Sequence, residues 1–120
     1  MQTFILQDLT TIRGATSTNV TQNESGWLDM SAMQDLMIWT ETKEVTGTVT
    51  ISFQTSPTKD DALFTQMMAG IALPLGVTTT KVLLSAATIP VARYVRWVLT
   101  GPASTWDATF RCYVAGNSAM

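Results

Sequence analysis

Catalytic chemistry in this 120-residue chain would have to come from carboxylates, lysines, tyrosines or one thiol, because the sequence contains no histidine. Nucleophilic sites of the Ser-His-Asp and Cys-His kinds are therefore excluded. Of the nine acidic residues only Asp60 and Asp61 are adjacent, so a carboxylate pair with glycosidase spacing would need folding to bring distant acids together. We expect a protein that is not an enzyme and has no catalytic residues.

Ligands for a metal or a cofactor are equally sparse. The one thiol, Cys112, lies in the alternating stretch "TFRCYV", a pattern typical of a small buried residue. The adjacent acids Asp60 and Asp61 lack the regularly spaced partners of a calcium loop and are better placed to cap a short helical turn. The seven glycines are dispersed and form no phosphate-binding loop. The sequence therefore predicts no metal site and no cofactor.

Cations and aromatic rings are concentrated together in residues 92–114, "ARYVRWVLTGPASTWDATFRCYV". Alternation on either side of the turn-forming "TGPAST" predicts two strands joined as a hairpin. One face of this hairpin would carry Tyr94, Arg96, Arg111 and Tyr113. Arginine planes beside tyrosine rings are commonly packing pairs that cover apolar surface, and the alternative is a face that docks a partner or a sugar.

The elements that must position these residues are strands, because abundant threonine with β-branched and aromatic residues suits a half-buried sheet. "TVTISFQTS" alternates without interruption between apolar and polar side chains. The preceding "DLMIWTETKEV" is apolar on both faces in its first half, which is typical of a strand covered on both sides. A turn at residues 46–48 is predicted to join these two strands in a hairpin. The predicted core consists of Val49, Ile51, Phe53, Val95, Trp97, Leu99, Phe110 and Cys112.

One segment, "SPTKDDALFTQMMAG", interrupts the strands with a short helical turn that an aspartate caps and Gly70 ends. Its apolar residues are Leu63, Phe64, Met67 and Met68. The fold class predicted is all-β: an antiparallel β-sandwich of jelly-roll type with one short helical crossover. Residues 1–25 would form an N-terminal strand or arm and a polar loop, and residues 26–120 the β-sandwich, within a single domain overall.

The N-terminal segment, "MQTFILQDLTTIRGATSTNVTQNES", combines an apolar strand-forming start with a long polar stretch. Two interpretations remain open. The segment forms either the first strand of its own sheet or an edge strand that adds to a neighbouring subunit or partner protein, with Phe4 and Leu6 setting the register. Several apolar residues remain after the core faces are filled, so we expect a homo-oligomer. These residues are Met30, Met33, Met37 and Trp39.

Charge and composition restrict the partners. A net charge of −2 with 13 % charged residues gives no basic surface for nucleic acid. No apolar run is long enough to cross a membrane, and the start of the chain lacks the basic residues of a secretory signal, so we expect folding in a reducing cytoplasm. Surfaces with so little charge repel one another weakly, which favours self-association or docking onto a larger assembly.

The stretch "VARYVRWVLTG" resembles the penultimate-strand signature of jelly-roll sandwiches of the discoidin or galactose-binding type. The wider layout, from "GWLDMS" through "TETKEVTGTVTISFQTSPTKDDALF" to the terminal strand, is similar to small β-sandwich proteins of tailed-phage structural gene clusters. The resemblance covers residues 26–114, but the cysteine pair and aromatic spike loop usual in discoidin domains are absent. It implies a decoration or cement protein on the surface of a virion, made in the host cytoplasm, with the major capsid protein as partner.

Three functions from different classes follow. The first is that virion structural protein, for which a trimer is favoured because decoration proteins commonly occupy three-fold positions of capsids. The second is a carbohydrate-binding module of a phage tail or secreted enzyme, in which Trp27, Trp39 or Trp106 would stack on a sugar. The third is a glycosidase-like hydrolase, which needs two carboxylates to meet in the fold. We predict the first function, with Phe4, Leu6, Trp39, Tyr94, Arg96, Arg111 and Tyr113 as candidate interaction residues.

Overall fold

The computed structural model describes residues 2–15, 18–31, 33–67, 70–74, 80–84, 91–101 and 105–118. Within these residues the chain forms ten strands and two single turns of 3-10 helix. The strands are β1 (Gln2–Gly14), β2 (Thr18–Thr21), β3 (Leu28–Asp29), β4 (Met33–Thr46), β5 (Thr50–Ser56), β6 (Thr65–Gln66), β7 (Ile71–Ala72), β8 (Thr80–Leu84), β9 (Tyr94–Gly101) and β10 (Trp106–Ser118). The helical turns are Glu24–Gly26 and Asp61–Leu63.

The strands pack as two antiparallel sheets. The first sheet has the order β1-β10-β4-β8, and the second has the order β2-β9-β5-β6, with β3 beside β9 and β7 beside β5. Along the described strands the chain changes sheet six times: between β1 and β2, β3 and β4, β4 and β5, β7 and β8, β8 and β9, and β9 and β10. Because strands from the two ends of the chain pair and wrap together, this arrangement is a jelly roll. The predicted antiparallel β-sandwich of jelly-roll type is confirmed.

The core lies between the two sheets and contains all eight of the residues that alternation placed there, each at most 2 % exposed. Strand β5 supplies every second side chain from Ile51 onward, and β9 and β10 supply theirs from the facing sheets. The rings of Trp97 on β9 and Phe110 on β10 meet edge to face, with centroids 5.2 Å apart and an interplanar angle of 86°. This aromatic contact joins the second sheet to the first.

Both predicted hairpins are wrong. Strands β9 and β10 lie in different sheets, as do β4 and β5, so neither pair shares backbone hydrogen bonds. Strand β10 instead pairs with β1 and β4, and β9 pairs with β5 and β2. Alternation identifies the inward face of each strand, but two inward-facing strands satisfy it equally as neighbours or across the sandwich. The connection after β4 turns at Gly47, whose φ of 80° favours glycine.

The helical crossover between β5 and β6 is one 3-10 turn. The Asp60 carboxylate accepts a hydrogen bond from the Ala62 backbone N–H at 3.0 Å, so the predicted aspartate cap is confirmed. The turn ends at Leu63 rather than continuing toward Gly70, because strand β6 begins at Thr65. Met67 then returns to the core, with its N–H bonded to the Phe53 carbonyl at 2.8 Å. Met68 lies outside the described residues.

Strand β1 completes the first sheet along its whole length. It pairs with β10 from Gln2 opposite Gly116 to Gly14 opposite Trp106. Leu6 is 2 % exposed and belongs to the core, while Phe4 packs at its margin. In this structure the N-terminal segment is therefore the first strand of its own sheet, and its exchange with another molecule stays a prediction.

One end of the sandwich is closed by Trp106, which is 3 % exposed. Its ring lies against the backbones of β1 and β9, because a Cβ atom would be 2.3 Å from the ring at Gly14 and 1.8 Å from it at Gly101. Only glycine leaves room for the indole at these two positions. Among the described residues the Nε1–H of Trp106 has no acceptor. A ring enclosed in this way cannot stack on a sugar.

Removing a core side chain tests the packing of the two sheets. We expect Phe53→Ala and Trp97→Ala each to lower the free energy of unfolding by roughly 3–5 kcal/mol, because each leaves a cavity at a fully buried site. Urea denaturation followed by circular dichroism measures the change. The matched control is Ser52→Ala, the outward neighbour of Phe53, for which we expect a change within about 0.5 kcal/mol. Equal effects for Ser52→Ala and Phe53→Ala would contradict this assignment of the faces of β5.

Candidate functional site

The sequence proposes seven interaction residues, and the structure distributes them over three places. The two residues on β1 lie in or beside the core. Tyr94 and Arg96 lie on the outer face of the second sheet, whereas Trp39, Arg111 and Tyr113 lie on the outer face of the first. The predicted common face of Tyr94, Arg96, Arg111 and Tyr113 is therefore wrong, because β9 and β10 turn their outer faces to opposite sides of the sandwich.

Arg96 is the centre of a closed cluster on the second sheet. Its guanidinium carbon lies 3.8 Å from the centroid of the Phe64 ring and 5.1 Å from that of Trp27. Its Nε–H donates to Gln54 Oε1 at 2.8 Å, and Nη1 donates to Asp61 Oδ1. The residue is only 5 % exposed. Both the rings and the hydrogen bonds that hold Arg96 are internal, so Arg96 positions the cluster rather than presenting charge to a partner.

Two loops supply the rings that cover Arg96. Trp27 follows the helical turn Glu24–Gly26, and its Nε1–H donates to the Gln22 carbonyl at 2.8 Å. Phe64 follows the turn Asp61–Leu63. The two rings meet edge to face with centroids 4.7 Å apart and an interplanar angle of 63°. These loops roof the outer face of the second sheet, which we call the roofed face, and sequence reasoning missed them because residues distant along the chain form them.

Tyr94 lies at the margin of the roofed face among exposed charges. The guanidinium of Arg93 is 5.1 Å from the ring centroid, and the Lys59 ammonium is 5.5 Å from it. Arg93 also pairs with Asp29 at 3.2 Å, and the hydrogen bond from this guanidinium is the main reason that the pKa of Asp29 is lowered. Because both partners are exposed, the pair contributes little to stability.

The outer face of the first sheet is apolar over one half. Ile5, Tyr113 and Trp39 lie directly opposite one another on β1, β10 and β4 and form a row across three strands. Met37 lies on the same face, two residues from Trp39 along β4, and Leu9 lies four residues from Ile5 along β1. Ile5 and Leu9 are 52 % and 53 % exposed, and the two rings are half-buried. We call these five residues the open face. Loops cover the roofed face, whereas no loop among the described residues covers the open face.

An ion group borders the open face. Arg111 donates to Glu41 at 3.0 Å, and Lys43 lies 2.9 Å from the same carboxylate. Hydrogen bonds from Lys43 and then Arg111 lower the pKa of Glu41, so the stabilisation they provide is present at neutral pH and is lost as the pH falls through that lowered pKa. The Arg111 guanidinium also lies 5.4 Å from the Tyr113 ring centroid, which confirms the predicted pairing of an arginine with a tyrosine at this position.

Cys112 lies in the core with its thiol 3.5 Å from Thr40 Oγ1. Burial raises the pKa of Cys112 to about 12. The thiol is therefore protonated at neutral pH and unable to attack or to cross-link while the chain stays folded.

A cleft of about 360 Å³ lies between the edges of β1 and β2. Three of its polar side chains are already hydrogen-bonded: Trp97 Nε1–H donates to Gln7 at 3.0 Å, and the Gln22 side chain donates to the Leu6 and Gly26 carbonyls. None of the residues that line it titrates. The cleft therefore offers no carboxylate or amine to act as an acid or base in hydrolysis.

Neither a metal cluster nor a membrane helix appears in the part of the chain that the structure describes. No three or more of its His, Cys, Asp and Glu residues are grouped to hold a metal ion. No helix there has the length and apolarity needed to span a bilayer.

The fold is one that viral capsid and pilus proteins also use. No protein-family model matches the sequence, and no curated protein matches it. Among solved structures, a Bacillus endospore appendage described as belonging to a family of disulfide-linked pili has a TM-score of 0.50 and 19 % identity, with 99 % of this chain and 93 % of that chain covered.

Particles of infectious bursal disease virus give a second group of similar structures. The virus-derived T=1 particle has a TM-score of 0.56 and 10 % identity, and the VP2 subviral particle has a TM-score of 0.52 and 14 % identity. Each match covers 94 % of this chain but only 30 % or 31 % of the viral chain. At these identities the likeness establishes the fold.

Replacing Arg96 tests its role in holding the roof. We expect Arg96→Lys to lower the free energy of unfolding by about 1–3 kcal/mol, because lysine keeps the charge but loses the planar stack on the rings and the paired donors to Gln54 and Asp61 at a buried position. Trypsin should also cut faster at Lys59, in the loop that carries Phe64. The matched control is Arg93→Lys, which changes an exposed cation and should alter neither quantity. If the Arg96→Lys protein is as stable and as protease-resistant as the wild type, Arg96 does not hold the two loops in place.

The reactivity of the Cys112 thiol tests its burial in the core. Native protein at pH 8 should react with a disulfide reagent only after denaturant is added, because Cys112 is buried and its pKa is raised to about 12. Absorbance of the released thiolate measures the rate. The same sample in guanidinium chloride serves as the control and should give one reactive thiol per chain. Rapid labelling of the folded protein would show that β10 opens or that the thiol lies at the surface.

Proposed function

We propose that this chain is a non-enzymatic structural protein of a virion, specifically a decoration or cement protein that stabilises the head of a tailed phage. The observation that carries the proposal is the open face, because an antiparallel sheet with one solvated face is ordinarily polar on that side. Large exposed apolar side chains grouped on one surface mark a site of protein contact. Here they accompany a sandwich in which the cleft between β1 and β2 contains no titratable residue.

The partner in this proposal is the major capsid protein, and the chain acts at the capsid surface after synthesis in the host cytoplasm. We propose a homo-oligomer, with a trimer as the symmetry that fits the three-fold positions of a capsid. The low net charge of −2 supports dense packing of many copies, because neighbouring copies repel one another weakly. The fold shared with capsid and pilus chains agrees with an assembly role.

Contacts within such an assembly would be non-covalent. The similar Bacillus appendage is described as disulfide-linked, but the one cysteine of this chain is enclosed in its own core. Strand exchange would likewise require β1 to leave its full-length pairing with β10 and to withdraw Leu6 from the core. Side chains on the surface of the folded sandwich are therefore the groups that we propose to make the contacts.

Carbohydrate binding is the second candidate, and one residue keeps it open. Of the three tryptophans considered for this role, Trp106 is enclosed and Trp27 packs against Arg96 and Phe64. Trp39 alone lies half-buried on the open face, beside Tyr113 and close to polar groups that could bond sugar hydroxyls. Retention on a polysaccharide panel, lost in Trp39→Ala, would favour this candidate over the first.

Addition of the protein to phage capsids tests the proposed function. We expect co-sedimentation at a fixed stoichiometry and, because a cement protein bridges capsid subunits, survival of the capsids at temperatures that disrupt undecorated ones. Negative-stain microscopy after heating counts the intact particles. The matched control is the Phe53→Ala, Trp97→Ala double variant, which should unfold and give no protection. Absence of binding by the folded protein across capsids of several tailed phages would overturn the decoration role.

A further inference from the structure

The two outer faces of the sandwich differ in a way that the fold alone does not require. On the roofed face, Trp27 and Phe64 of the same chain cover Arg96 at the centre, and Leu63 beside Phe64 is 48 % exposed. On the open face the described contacts run between neighbouring side chains of the sheet itself, and Ile5 remains 52 % exposed. One sheet thus carries its own cover, and the other presents an apolar surface that lacks one among the described residues.

The open face extends across three long adjacent strands. The row Ile5, Tyr113, Trp39 crosses three adjacent strands in register, and strands β1, β10 and β4 contain 13, 13 and 14 residues. Three strands at about 4.8 Å spacing and 13 residues at about 3.3 Å rise span a surface of roughly 600 Å². Two such surfaces in contact would bury about 1,200 Å², the lower limit of stable protein interfaces. The outer face of one sheet is therefore large enough to hold two molecules together.

Charge on this face permits a second copy of the same chain. The Glu41 carboxylate is neutralised by Arg111 and Lys43, and on the next part of the sheet Arg13 lies opposite Asp107. Acids and bases thus alternate within the face, and a surface of this kind selects no strongly acidic or basic partner. When two identical faces meet, acids and bases of one copy can approach their opposites on the other.

We infer that the open face is a self-association interface, through which one copy of this chain packs against a second copy. The apolar row forms the centre of the contact and the ion group of Glu41, Lys43 and Arg111 forms its rim, which is the usual anatomy of a protein interface. The inference deepens the proposed assembly role, but two identical faces in contact form a two-fold dimer rather than the proposed trimer. Self-association and capsid binding can therefore succeed or fail separately.

Substitution at the centre of the face tests the inference. Trp39→Lys and Ile5→Lys each place a positive charge in the apolar row of both copies, so we expect each to raise the dissociation constant of self-association by about tenfold or more. Sedimentation velocity across a wide concentration range measures this constant for the protein alone. The matched control is Thr100→Lys, a partly exposed position on the outer face of the second sheet, which should leave the constant unchanged.

Circular dichroism and urea denaturation of all three variants separate loss of contact from loss of fold. Ile5 is the decisive position, because it is half exposed on an edge strand and its replacement should leave the sandwich intact. A monomeric wild-type protein at every concentration overturns the inference, and so does equal weakening by Thr100→Lys. Association that appears only when capsids are added overturns it while supporting the proposed function. Oligomers that Ile5→Lys disrupts, but that bind no capsid, support the inference and count against decoration.

Discussion

The pairing of β10 with both β1 and β4 is the constraint on which the rest of the structure depends. This strand contributes Phe110, Cys112 and Val114 to the core, and each is fully buried. Because β1 comes from the other end of the chain, the first sheet cannot close until the whole chain is available. The contact of Phe110 with Trp97 then sets the second sheet against the first. An error in the pairing of β10 would therefore disturb both sheets together.

The fold class and the core were predictable because they depend on a local property, the alternation of apolar and polar side chains along each strand. Alternation in β5, β9 and β10 correctly places residues such as Phe53, Trp97 and Cys112 inside. Pairing partners were not predictable from alternation, since both predicted hairpins satisfy the same pattern as strands facing one another across a sandwich. The aspartate cap at Asp60 was predictable, but the length of its turn depended on the pairing of β6 with β5.

In the candidate site, too, the direction of a side chain was predictable from alternation, but its neighbours on other strands were not. Tyr113 and Trp39 were correctly identified as outward-facing, but their position side by side follows from the pairing of β10 with β4, which the sequence pattern does not encode. The burial of Arg96 was not predictable from its own strand. Its place in a strand beside apolar neighbours is local information, whereas its burial beneath Trp27 and Phe64 depends on two loops that are distant from it in the chain.

Strand β4 has apolar residues on both faces, and the two faces differ in what covers them. Its first half is apolar on both faces, a pattern typical of a strand covered on both sides, and the core covers Ile38 on the inner side. On the outer side, the described residues leave Met37 and Trp39 without a layer of their own. In β5 the outward positions are polar, Thr50, Ser52 and Gln54, although loops of the same chain partly roof that sheet. Of these two strands, β4 is the one with apolar outward residues, and its outer face has no loop cover among the described residues. A second copy packed on that face would supply the layer.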